Sequence, residues 1–143
     1  MPAEISFYVL ASESQHQRQE FACKLIEKIY RSGQYCYVLT DDFEQAQQID
    51  QQLWTFRPAS FVPHQLYAGV EPEFKQTVLI GSQPIPVGWQ AVIVNLSTHY
   101  PPFQAGVERI LEILDNSEAS KQAGRERYRH YQQAGLKITT YKI

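Results

Sequence analysis

Residues 35–53 read YCYVLTDDFEQAQQIDQQL, and the change of pattern inside this run decides the fold. YCYVLT, at 35–40, is an unbroken β-branched and aromatic run too short for a typical helix, so it reads as a strand buried on both faces. After it, Phe43, Ala46, Ile49 and Leu53 recur at three and four, the spacing of one helix face, with Asp41 positioned to cap it. Upstream, ISFYVL at 5–10 has the character of a first buried strand. Between the two strands, from Ser14 to Tyr30, Phe21, Ala22, Leu25, Ile26 and Ile29 repeat with helical spacing until Gly33 stops the run. A βαβα opening with short connections predicts a parallel sheet covered by helices and joined by right-handed crossovers.

Downstream the pattern breaks. WTFRPASFVPHQLYAGVEPEFK, residues 54–75, carries three prolines and no sustained period, which predicts a long surface loop. TVLIG (77–81) and AVIVNLS (91–97) read as two more strands, separated by the proline-rich QPIPVGW. Pro101 and Pro102 lead into an expected helix from about Phe103 to Leu114, and a second runs from about Glu118 to Ala134. Gly135 is a natural stop, and LKITTYKI closes the chain as a strand. The expectation is an α/β fold: a single three-layer Rossmann-like domain over 1–143, with a mostly parallel central sheet flanked by helices.

Composition agrees with one ordinary globular domain: 143 residues, 43% hydrophobic and 20% charged, with a net charge of −2. That balance argues against a chain that binds nucleic acid or an acidic membrane through its overall charge. The charge is nevertheless segregated. Residues 1–120 hold seven Lys/Arg against fourteen Asp/Glu, whereas residues 121–143 hold six against one. The start, MPAEISFYVL, lacks the basic flank and long apolar core of a secretion signal, and no window approaches the ~20 apolar residues of a membrane span. A cytoplasmic protein is expected.

The usual chemistry is missing from the expected places. The first strand is followed by ASESQHQRQ, with no glycine to let backbone amides approach a phosphate, so no nucleotide-binding motif is present. Asp41 and Asp42 follow the second strand, where crevice ligands bind in such sheets, and helix capping explains them equally. His16, His64, His99 and His130 are scattered, and Cys23 and Cys36 lie in apolar runs that predict buried thiols. No cofactor, metal or catalytic residue is expected. The rivals to a binding protein are a direct nucleic-acid binder and a nucleotide-binding α/β enzyme.

Two surfaces ask for partners. The loop segment 53–66 carries Trp54, Phe61, Val62 and Leu66 without a period that would bury them; either they complete the core or they form an apolar, arginine-containing contact patch. On the last helix Lys121, Arg125, Tyr128 and Gln132 form one stripe, with Gly124 beside it allowing close approach of another chain. Ala123, Arg127, Tyr131 and Ala134 form a stripe that can pack inward, Arg127 snorkelling. The first stripe is either a solvated basic face or a small cationic site with an aromatic wall, suited to a carboxylate or short acidic peptide.

FYVL near the start, RSGQYCYVLTDDFEQAQQIDQQLW (31–54), RPASFVPHQL (57–66) and KQAGRERYRHYQQAGLKITTY (121–141) together resemble the chi-subunit family of bacterial DNA polymerase III. The resemblance spans nearly the whole chain, and its most specific parts are the tryptophan followed by RPASFVPH and the RERYRHYQQAG helix. It implies a non-enzymatic adaptor at the replication fork. Such a subunit binds the psi subunit of the clamp loader and the acidic, phenylalanine-ended C-terminal tail of single-stranded-DNA-binding protein, with no direct sequence-specific nucleic-acid contact and no membrane. By position in the family motifs, Lys121, Arg125, Tyr128, Leu114 and Thr140 are implied to meet the tail, and Trp54, Phe61, Val62, His64 and Leu66 to face psi. Where a further basic residue is expected one turn beyond Tyr128, this chain has Gln132. The same face is open to another replication or repair protein, such as a repair helicase.

Overall fold

The computed structural model describes residues 3–82, 84–101 and 106–143. Strands β1 (Glu4–Val9), β2 (Cys36–Leu39), β3 (His64–Leu66), β4 (Val78–Gly81), β5 (Val92–Asn95), β6 (Arg109–Leu114) and β7 (Lys137–Lys142) form one sheet in the order β3-β4-β2-β5-β6-β1-β7. All of its pairings are parallel. Helices α1 (Gln15–Arg31), α2 (Phe43–Thr55) and α3 (Glu118–Gln133) cover it. The fold is α/β, as the opening pattern predicts.

Local chemistry sets each helix start. Ser14, Asp42 and Ser117 stand in extended conformation at the three N-caps, and their side chains accept from the amides of Gln17, Gln45 and Ser120. The cap of α2 is therefore Asp42. Asp41, the expected cap, instead accepts from the amide and hydroxyl of Thr98, at 2.8 and 2.9 Å, tying the end of β2 to the loop after β5. On α2 the expected stripe holds at Ala46, Ile49 and Leu53, whereas Phe43 in the first turn is exposed.

One face of the sheet is covered by α1 and α2, whose Ala22, Ile26, Ile49 and Leu53 are buried in one cluster with Val38, Ile80 and Val94. Burying each of the valine, leucine and isoleucine side chains contributes roughly 1.5–3 kcal/mol. On the opposite face, α3 packs over the end of the sheet that holds β6 and β7. The cluster on that face also takes in Ile85 and Trp89, whose indole nitrogen donates to Thr77 O at 2.8 Å. Trp89 ends a short 3₁₀ turn, Val87–Trp89, inside the proline-rich connection.

Two expectations are corrected. The helix expected over Phe103–Leu114 is strand β6 at Arg109–Leu114, between β5 and β1; residues 102–105 lie outside the described residues. In RILEIL the apolar residues also fall at helical spacings, and a strand buried on both faces has no alternation to betray it. The expected loop over 54–75 begins with the last turn of α2 and contains β3, whose three residues are too few to show a period.

Candidate functional site: a cationic groove and an aromatic patch at opposite sheet edges

Helix α3 is fastened to the sheet by a buried polar cluster. Arg127 Nε lies 3.0 and 3.1 Å from the two carboxylate oxygens of Glu112 on β6. The Tyr131 hydroxyl and Asn95 Nδ2 both donate to Glu112 Oε2, at 2.6 and 3.0 Å. The inward stripe holds at Arg127 and Tyr131, with Ala123 half-buried and Ala134 exposed, and Arg127 does not snorkel: it is 4% exposed and paired, and Glu112 is fully buried. Burial pushes the Glu112 carboxyl above its ordinary range, against the pull of Arg127 and the hydrogen bonds of Tyr131 and Asn95.

Beside this anchor the helix comes close to the strands at Gly124. A Cβ there would stand 2.5 Å from Leu114 Cδ1, so the close approach that glycine allows is to this chain's own β6. The space left between α3 and the sheet is a groove of about 430 Å³, within the range of small-ligand sites. All five expected tail-contact positions, Leu114, Lys121, Arg125, Tyr128 and Thr140, line it, with Gln132 as well. Its apolar floor is completed by Phe7 and Val9 of β1, and the Phe7 ring packs against Tyr128 at 5.6 Å between centroids.

Three cations stand on the α3 rim. Lys121 Nζ is 3.3 Å from Glu118, while Arg125 and Arg129 are exposed and have no ion-pair or hydrogen-bond partner among the described residues. Arg129 was not on the predicted stripe. Its spacing, four residues beyond Arg125, is the signal that would have found it. The groove therefore has a third cation although residue 132 is glutamine. An apolar floor beneath unpaired guanidinium groups can hold an anion attached to an aromatic or aliphatic group.

The second surface divides into exposed and supporting residues. Trp54 at the end of α2 and Phe61 are 55% and 71% exposed, with ring centroids 6.2 Å apart. Val62 is 2% exposed and belongs to the core, and Leu66 is half-buried against it. The His64 side chain is buried beneath Trp54, 4.7 Å between rings, its nitrogens 2.6 Å from Val62 O and 3.0 Å from Asp50 O. The segment the sequence left undecided is therefore split: Val62 completes the core, and Trp54 and Phe61 stand at the surface.

Glu27 of α1, which the sequence did not single out, pins this loop. Its buried carboxylate accepts from Arg57 Nη1 at 2.6 Å and from the Ser60 hydroxyl. Those two contacts bracket Ala59, held at φ +63°, a left-handed conformation that costs a non-glycine residue roughly 1–2 kcal/mol.

At the carboxyl ends of the strands, where open α/β sheets bind nucleotides, the buried Arg18 donates to Ile113 O at 2.7 Å and Leu96 O at 3.1 Å. A cleft of about 230 Å³ beside it holds Asp41 and Asp115, already accepting from the amides of Thr98 and Ser117. Among the described residues no group of three or more His, Cys, Asp or Glu could hold a metal ion, and no helix is long and apolar enough to cross a membrane.

Comparison with known proteins gives a consistent result. The family described as "DNA polymerase III chi subunit, HolC" matches residues 1–139. The DNA polymerase III subunit chi of Pseudomonas aeruginosa is 30% identical over 97% of this chain and 96% of its own length. That of Haemophilus influenzae is 27% identical over 100% and 99%, and that of Escherichia coli 27% over 85% and 83%. Among solved structures, T4 UvsW is similar at a TM-score of 0.69 over 99% of this chain and 41% of that one. At 8% identity the likeness is one of fold.

Proposed function

The chain belongs to the DNA polymerase III chi subunit family, and we propose that it is a non-catalytic adaptor that links the clamp loader to single-stranded-DNA-binding protein. In this reading the groove under α3 docks the acidic C-terminal tail of single-stranded-DNA-binding protein. Arg125 pairs with the terminal carboxylate, Lys121 and Arg129 with the tail's acids, and the last aromatic ring lies on the floor beside Tyr128. Trp54 and Phe61 form the contact with the psi subunit, and Val62, His64 and Leu66 hold them out from below.

The observation that carries the reading is the convergence of the five tail positions, drawn from β6, α3 and β7, on one groove with an unpaired arginine at its rim. The arrangement of the two surfaces supports a linker. Trp54 packs at a tilt against His64 on β3 and Thr140 lies on β7, the two outermost strands of seven. At about 4.8 Å per strand they are roughly 29 Å apart, far enough for both partners to bind together. A short disordered tail loses entropy on docking, so one site binds in the micromolar range and is salt-sensitive, and several tails on one oligomer raise the effective concentration.

Fluorescence anisotropy tests the reading, with a labelled acidic peptide ending in a free C-terminal phenylalanine, its C-terminally amidated form, and bare single-stranded oligonucleotide. The expected result is binding of the free-acid peptide alone, weakened by roughly 10-fold or more in Arg125→Ala, which loses charge-assisted hydrogen bonds. Equal binding of acid and amide, or of wild type and Arg125→Ala, overturns the site. Preferential binding of oligonucleotide with a steep salt slope overturns the adaptor.

A further inference from the structure

The groove opens onto β7, and β7 is an unfinished edge. It is six residues long, pairs with β1 along its whole length, and is the last strand of the sheet. The opposite edge, β3, has only three residues. Short edge strands are a common device against unwanted pairing, and β7 lacks it.

The ladder fixes which groups are unused. The Ile143 amide donates to Val9 O at 2.9 Å, so the amide of residue 143 faces β1. By alternation Thr139 and Tyr141 face β1 as well, while Ile138, Thr140 and Lys142 turn their N–H and C=O groups to the open edge. β7 pairs with no strand but β1 among the described residues, so these three have no ladder partner on their open side. Side chains alternate with the same period. Thr140 stands opposite Phe7 and Lys142 opposite Val9, the two floor residues of the groove. The residues whose backbone is open are therefore those whose side chains lie on the groove's side of the sheet, and Thr140 lines the groove itself.

We propose that the outer edge of β7 is part of the peptide site, receiving the extended acidic segment of a docked peptide as an eighth strand through the backbone of Ile138, Thr140 and Lys142. The inference rests on the groove being the docking site for an acidic C-terminal tail. Charge complementarity selects that occupant over a second copy of this chain. Lys142 has no ionic partner among the described residues, and with Arg125 and Arg129 it repels another β7 edge while attracting acids on an incoming strand. Main-chain pairing also explains how a short tail gains affinity without a large apolar contact.

Amide exchange by NMR reads the proposal directly. In the free protein Thr139, Tyr141 and Ile143 exchange slowly and Ile138, Thr140 and Lys142 fast. Adding the acidic peptide with its free C-terminal phenylalanine slows the latter three by roughly 10-fold or more. Single N-methylations along the peptide weaken binding by roughly 2- to 10-fold at alternate residues, where an edge hydrogen bond is lost, and leave the intervening positions unchanged. Peptide binding that needs Arg125 and the free carboxylate, yet leaves edge exchange unaltered and gives a flat N-methyl scan, overturns the added strand while the groove stands. No binding at all overturns both.

Discussion

Arg127 on α3 and Glu112 on β6 face each other in the sealed layer between helix and sheet, Nε 3.0 Å from Oε1 and both side chains at most 5% exposed. This contact sets the height and rotation of the helix whose other stripe forms the groove rim. Removing one partner strands a buried charge.

Arg127→Met is expected to lower stability by about 3–5 kcal/mol at neutral pH. Burial already raises the Glu112 carboxyl, and without Arg127 it rises further. A carboxyl raised in the folded state adds stability below its unfolded pKa and loses it as pH climbs through the folded one. The deficit of the variant against wild type should therefore shrink as pH is lowered towards the ordinary glutamate range. Denaturant melts across pH check this, and a deficit that grows in acid would refute the account.

Gly124→Ala sets two terms against each other. Alanine gains about 1 kcal/mol in helix propensity, while its methyl meets Leu114 Cδ1 at 2.5 Å, and overpacking costs about 1–3 kcal/mol. The net change in stability should be under about 2 kcal/mol. Leu114 lines the groove, so peptide affinity should fall even where the melting temperature does not. Calorimetry and anisotropy on the same samples separate the two.

Trp54→Ala and Phe61→Ala should leave unfolding cooperative and within about 0.5–1 kcal/mol of wild type, because both side chains are largely exposed. Both should abolish co-purification with psi and spare the acidic peptide. Val62→Ala, from the core, should cost about 1–3 kcal/mol. Thermal melts of the three variants decide whether the exposed pair is contact surface or core.

Glu27→Gln tests the loop anchor from a distance. It removes the charge that holds Arg57 and Ser60, with an expected loss of about 1–3 kcal/mol. Hydrogen exchange should rise between residues 57 and 62, and psi binding should weaken although residue 27 is buried. Unchanged exchange there would remove Glu27 from the account.

Burial pushes the Cys23 and Cys36 thiols up to about 12. At about pH 8, where an ordinary thiol is partly ionised, neither should react with a thiol reagent in the native protein, and both should on unfolding. Rapid native labelling would mean that the layer between α1 and the sheet opens locally.

What the sequence by itself determined is what short-range period and capping chemistry carry. The strands at β1, β2, β4, β5 and β7, the three helices, and most of the two stripes of α3 are legible there, because short β-branched and aromatic runs mark the strands and helical faces repeat within a few residues. Motif resemblance added the family and the groove positions. Tertiary structure alone decided the rest. RILEIL became a central strand because β5 and β1 pair with both its edges and the helices α1 and α3 cover its faces, a fact absent from its own period. Glu112 could sit there only because Arg127, Tyr131 and Asn95 reach it from other elements. In the same way the division of Trp54 and Phe61 from Val62 and His64, the anchoring by Glu27, and the joining of Phe7 and Val9 to Arg125 and Arg129 depend on contacts between distant residues. Which side of a loop residue meets solvent is set by the packing of everything beneath it.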